Sequence, residues 1–159
     1  MTADTFLAEL LTKAEEALWC APPSLVFLAP GAEVAWDECC EGQLWIRVIR
    51  AHPVDPPPSK TFNVNGCGYR LGIQIGLGVI RCQTGLDSQD ASKHPTAAQL
   101  TADAVTMLRD AGALERVLCA AELIIDQWTP LGPKGGCYGG EWTAWLTDLQ
   151  FPDCGEESE

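Results

Sequence analysis

Basic residues are scarce in this chain. Ten Lys plus Arg stand against 22 Asp plus Glu, a formal net charge of −12 over 159 residues. A surface that tracks phosphates needs clustered Lys and Arg, so wrapping of nucleic acid is excluded as the main role. An acidic wall suits instead a channel through which DNA slides without sticking. Long apolar runs are absent too: the most apolar stretches are broken by Gly, Arg or Gln before they reach a membrane-spanning length. Met1 to Ala17 has no basic start followed by an apolar run, so no signal peptide is read there. The expected location is the cytosol, or an assembly made in it.

Signatures of chemistry are also missing. There is no GxSxG and no HExxH. Gly132 to Gly140 holds Lys134 but lacks the spacing of a phosphate-cradling loop. Gly66-x-Gly68 lacks the third glycine of a dinucleotide fingerprint, and no helix follows it. His52 and His94 lie beside prolines at element ends, which reads as a surface or capping role. Asp37, Glu38 and Glu41 read as solvated loop carboxylates.

Eight cysteines are many for this length. The only close pair is the adjacent Cys39-Cys40, and the two close pairs of a zinc site are not there. Buried thiols are the first reading. A disulfide, if formed, is expected first between Cys39 or Cys40 and Cys67 or Cys137. Acidic neighbours argue against a nucleophilic thiolate at Cys39 or Cys40. No enzymatic activity, catalytic residue, cofactor or metal site is expected.

What the chain does contain is a folding pattern. Apolar residues make up 47% and charged residues 20%, enough for one sizeable core. Residues 1–150 read as one domain and 151–159 as an acidic, solvated tail ending in GEESE. Its centre is Gly66 to Cys82, which alternates with a period of two. Tyr69, Leu71, Ile73, Ile75, Leu77 and Val79 share one side; Arg70, Gly72, Gln74, Gly76, Gly78 and Ile80 share the other. That predicts a long strand with one buried face. Gly72, Gly76 and Gly78 on the second side call for a bulge or bend, or for something large lying against bare backbone.

Other elements extend or cover that strand. Phe6, Leu7, Leu10, Leu11, Ala14, Ala17 and Leu18 predict a helix over Thr2 to Trp19. Strands are predicted at Leu25 to Leu28, Gln43 to His52, Leu123 to Trp128 and Glu141 to Leu149. In the last, Trp142 and Trp145 should face opposite sides. Val34 to Gly42 reads as a loop or one helical turn. Pro95 opens a second helix with apolar positions at Leu100, Ala104, Met107 and Leu108. A break is expected at Gly112, and a short helix through Leu114, Val117 and Leu118 follows. The fold class is therefore α+β, a mainly antiparallel sheet of about five strands with two main helices packed on it.

Two segments stand out as contact candidates. Pro53 to Lys60, with Asp55, Pro56, Pro57, Pro58 and Lys60, reads as a stiff exposed arm. Gly132 to Gly140, with Pro133, Lys134, Gly135, Gly136 and Tyr138, reads as a loop of turn formers. Six tryptophans exceed what one core easily holds with every indole N–H satisfied, so some should lie at a contact surface.

The amphipathic start, AWDECCEGQLWIRV, the glycine-dotted strand, ADAVTMLRDAGALERVL and GPKGGCYGGEW together resemble the tail terminator proteins of long-tailed (siphovirus) phages infecting actinobacteria. The likeness spans about Thr2 to Leu149. It implies a non-enzymatic virion protein of the tail and neck. Such proteins form a hexameric ring on the tail tube, stop its growth and join it to the head connector. The implied partners are other copies of the chain, the tail tube protein and a connector or stopper protein, with DNA passing through without specific binding. The rivals are another neck component, such as a stopper or adaptor, and a cellular ligand-binding α+β domain with a concave apolar pocket.

Overall fold

A computed structural model describes residues 2–31, 33–36, 39–53, 71–85 and 92–149. The elements are α1 (Ala3–Ala17), β1 (Leu25–Ala29), β2 (Gln43–Pro53), β3 (Leu71–Cys82), α2 (Ala97–Ala120), β4 (Ile124–Lys134) and β5 (Cys137–Leu149), with a 3-10 turn at Cys39–Glu41. The strands form one sheet in the order β1-β2-β3-β5-β4. β1 pairs parallel with β2, and the other three pairings are antiparallel, so the sheet is mixed. The class is α+β.

Both helices lie on one face of the sheet. Leu7, Leu10, Ala14 and Leu18 from α1 and its C-cap meet Leu114, Val117 and Leu118 of α2. Under them lie Leu44, Ile46, Ile73, Ile75, Leu77, Val79 and Ala144. Each such Leu or Ile, fully buried, is worth about 1.5–3 kcal/mol. An ion pair and a pair of hydrogen bonds clamp α2 to the end of β3 and the turn after it. Arg81 donates to both carboxylate oxygens of Asp110, at 2.6 and 3.0 Å. Asp103 accepts from the Thr84 backbone N–H at 3.0 Å and its hydroxyl at 2.5 Å.

Four expectations need correction. First, β3 is buried on both faces: every residue from Gly72 to Ile80 is buried. On its glycine side a second cluster forms from Cys39, Trp45, Ile80 and Cys137, with Phe27, Val34, Trp36 and Leu131 against it. The glycines are bare because large groups lie on them. A Cβ at Gly78 would collide with the Trp45 ring, and one at Gly76 would sit 2.5 Å from the Glu141 carboxyl carbon.

Second, α2 does not break at Gly112; it runs unbroken for 24 residues, started by a Thr96–Gln99 capping box. A helix-interior glycine costs about 1 kcal/mol relative to Ala, which the packing of Ala111, Ala113 and Leu114 outweighs.

Third, Leu100 and Leu108 of α2 are 46% and 63% exposed, and the packed positions of those turns are Asp103 and Asp110. The clamps to β3, not apolar burial, fix that half of the helix.

Fourth, Thr129 to Gly140 is not a loop. β4 and β5 continue through it and meet at a two-residue turn, Gly135-Gly136, with φ of 60° and 77°. That is the positive-φ pair a tight hairpin demands. Gly139 and Gly140 are strand residues under close contact. A Cβ on Gly139 would strike the Val79 carbonyl oxygen, and one on Gly140 the Trp128 ring.

Trp142 and Trp145 do face opposite sides. Trp142 lies on the helix side against Trp128, ring centroids 5.6 Å apart, and Trp145 carries the Arg50 guanidinium 4.7 Å from its ring centroid. No helix among the described residues is long and apolar enough to cross a membrane.

Candidate functional site

The pairing register locates the two contact candidates. Cys82 stands opposite Cys137, so the Gly135-Gly136 turn projects from the sheet end where β2 starts and β3 finishes. Pro53 stands opposite Leu71, which stands opposite Leu149, at the far end. β2 is 11 residues long, so roughly 35 Å of strand separates the two ends at about 3.3 Å per residue. The structure thus gathers Gly132, Pro133, Lys134, Gly135, Gly136 and Tyr138 on one hairpin and sets Pro53 apart from them. Asp55, Pro56, Pro57, Pro58 and Lys60 lie outside the described residues, as do Asp37, Glu38, Cys67 and the acidic tail.

Beside the hairpin, on the face without helices, lies a cleft of about 580 Å³. Trp36, Trp45, Arg47, Leu131, Lys134 and Glu141 are among its walls. Its floor is a hydrogen-bonded triad. Glu141 Oε2 accepts from the Trp45 indole N–H and from Arg47 Nε, both at 2.8 Å, and Oε1 accepts from Arg47 Nη2 at 2.6 Å. The fork-on-carboxylate geometry is the strong form of ion pair. It holds the Arg47 pKa above its ordinary value, first through the hydrogen bond to Glu141. At the rim, Gln43 Nε2 donates to the Ala35 carbonyl at 2.7 Å and pins the segment that carries Trp36. The triad is not a proton-transfer arrangement: Arg47 does not give up its proton near neutrality. It is a rigid, charge-balanced floor.

On the helix side Tyr138 packs against α2. Burial pushes its phenol pKa up, and the nearby charge of Asp103 adds to the effect. Among the described residues, exposed large apolar side chains include Leu25 and Leu28 on edge strand β1, Val48 on β2, Ile124 (63% exposed) on edge strand β4, and Leu100, Val105 and Leu108 along α2. Trp19, just past α1, is 78% exposed. Pro130 and Pro133 lie in β4 and remove backbone donors from it, which blunts that edge against simple strand addition.

Four cysteines meet at the hairpin end. Cys39 is bonded to Cys137 and Cys40 to Cys82. The first pairing is among those expected from the sequence; Cys82 was not singled out. Cys20 and Cys119 are free and exposed, which corrects the reading of these two as buried thiols.

Sequence reasoning also missed Trp45, Arg47 and Glu141 as a unit. A signal existed: Trp45 and Arg47 share one face of β2, and the adjacent strand offers Gly76 and Gly78 opposite them. Which carboxylate would cover the gap was not readable.

Comparison of the sequence with known protein families finds no matching family model, and comparison with curated proteins finds no matching relative.

Proposed function

We propose that the chain is a non-enzymatic virion protein that caps a phage tail tube as a hexameric ring and joins the tail to the head connector. One observation carries this reading. The Gly135-Gly136 turn and Pro53, the first residue of the other segment singled out as a contact element, stand at opposite ends of the sheet. A joining protein must offer one end to the tube and the other to the connector. Both lateral edges of the sheet also carry exposed apolar side chains, Leu25 and Leu28 on β1 and Ile124 on β4. Edges of this kind suit head-to-tail contacts between copies, the arrangement that closes into a ring. The net charge of −12 suits a lumen through which DNA passes without being held. On this reading the protein is assembled in the host cytoplasm and resides in the virion neck.

The test is the solution mass of the purified protein together with imaging of any large species. Ring-shaped particles in the wild type, lost in Leu28→Asp plus Ile124→Asp while the fold is retained, support the proposal. Rings that survive both substitutions would move the subunit contact elsewhere. A second reading is favoured by the 580 Å³ cleft with its aromatic walls: a ligand-binding α+β domain. It requires a monomer whose tryptophan fluorescence changes on ligand addition. A stopper or adaptor from the same neck is the nearer rival, and the two packed helices favour the terminator over a small β-barrel stopper.

A further inference from the structure

The cysteine cluster at the hairpin end has a chemistry of its own, which rests on the proposed assembly in a reducing cytoplasm. Its members come from three elements: Cys39 and Cys40 from the 3-10 turn, Cys82 from the end of β3 and Cys137 from the start of β5. The Sγ atoms of Cys39, Cys40 and Cys82 all lie within 4.8 Å of one another, and the Cys137 sulfur is bonded to that of Cys39. Three sulfurs therefore share one small volume, and the fourth is bonded to one of them.

That volume matches a metal. Zinc bound by four thiolates at about 2.3 Å places its sulfurs about 3.8 Å apart at the corners of a tetrahedron. Disulfides do not persist in a reducing cytosol, so a protein made there holds these groups as thiols. A closed-shell divalent ion such as zinc takes thiolate ligands and has no geometric preference of its own, so it can adopt the geometry that these side chains offer.

We propose that the reduced chain binds one zinc ion through Cys39, Cys40, Cys82 and Cys137. Four S–H bonds break, four Zn–S bonds form and four protons leave to solvent, with no change of oxidation state. When the chain starts in the disulfide form, a dithiol or phosphine reductant first supplies the four electrons that open both bridges.

The surroundings favour such a site. Cys82 and Cys137 face each other in register, and Gln83 N–H donates to the Gly136 carbonyl at 2.7 Å, closing the sheet beneath them. Gly42 N–H donates to the Cys39 carbonyl at 3.1 Å and fixes the turn that carries the other two ligands. Lys134, opposite Cys137, puts positive charge near a centre whose four thiolates would outweigh the ion. The sequence concealed the set because the ligands are separated by up to 98 residues, and spacing rules detect only close pairs.

The experiment purifies the full chain under a phosphine reductant without chelator and measures metal by elemental mass spectrometry. Cobalt(II) titration reports geometry through its tetrathiolate absorption. The expected result is one zinc per chain and the intense visible bands of tetrahedral cobalt. Cys40→Ser and Cys82→Ser should each cut metal affinity at least tenfold, whereas Cys20→Ser plus Cys119→Ser should leave it unchanged. Circular dichroism checks that each variant folds. If a variant unfolds, the wild-type cobalt spectrum decides alone. A reduced, folded wild type with all eight thiols titratable and no metal would overturn the proposal, as would undiminished binding in Cys82→Ser.

Discussion

The indole N–H of Trp45 donates to Glu141 at 2.8 Å across 96 residues of sequence, and the same carboxylate takes the fork of Arg47. This one group links β2 to β5 over the bare backbone of β3. Both side chains of the ion pair are largely shielded, at 20% and 9% exposure. Removing Glu141 takes the bidentate partner from the Arg47 guanidinium and the acceptor from the Trp45 indole N–H. Glu141→Ala should cost about 3 kcal/mol in urea denaturation, at the lower end for a buried pair because Arg47 keeps some solvent. Glu141→Gln, which preserves an acceptor for Trp45, should cost less. Equal, negligible losses in both would contradict the role given to the triad.

Gly78 lies under the Trp45 ring, with no room for a Cβ. The ring cannot swing away, because its N–H is held by Glu141. Gly78→Ala should therefore destabilise by about 1–3 kcal/mol, the usual range for overpacking. In a Trp45→Leu background the same change should cost distinctly less, giving a coupling that a double-mutant cycle reads directly. Additive losses would mean that the glycine answers to something other than the tryptophan.

Gly112 offers a test with the opposite sign. The helix runs through it, and a Cβ there would meet only Arg116 Nη1 at 3.7 Å. Gly112→Ala should raise stability by about 0.5–1 kcal/mol by removing backbone freedom from the unfolded chain. A helix that ended at Gly112 would be destabilised by the same change.

Tyr138 predicts a loss of stability at high pH. Its folded pKa lies above the ordinary value of 10.0, because burial disfavours the phenolate. Between the unfolded and folded values the native state binds the extra proton, so stability falls as pH rises. The contribution is full below pH 10 and disappears as pH climbs through the folded pKa. Tyr138→Phe should flatten the alkaline limb of a stability–pH curve. An unchanged limb would assign it to other groups.

Much of the fold was legible because strands announce themselves by period. The alternation of Leu44, Ile46 and Val48 against Trp45 and Arg47, and the burial of Ile73 to Val79, follow from position two by two. The opposite orientations of Trp142 and Trp145 follow from the same rule. Less legible were the glycines. In Gly135-Gly136 they make the turn, as composition suggests, but in Gly139 and Gly140 they make room for a carbonyl and an indole, which composition cannot distinguish. Leu100 and Leu108 have helical spacing yet stay exposed, because the sheet is reached by Asp103 and Asp110 instead. The meeting of Cys82 with Cys40 depends on register between distant strands, which no local pattern encodes.

The central claim concerns assembly, and solution mass tests it most directly. Light scattering on the purified chain, over a wide concentration range, should give the mass of six copies of 17.1 kDa. Images of the same sample should show closed rings. A mass of 17.1 kDa at every concentration, with no rings in the images, would contradict the account.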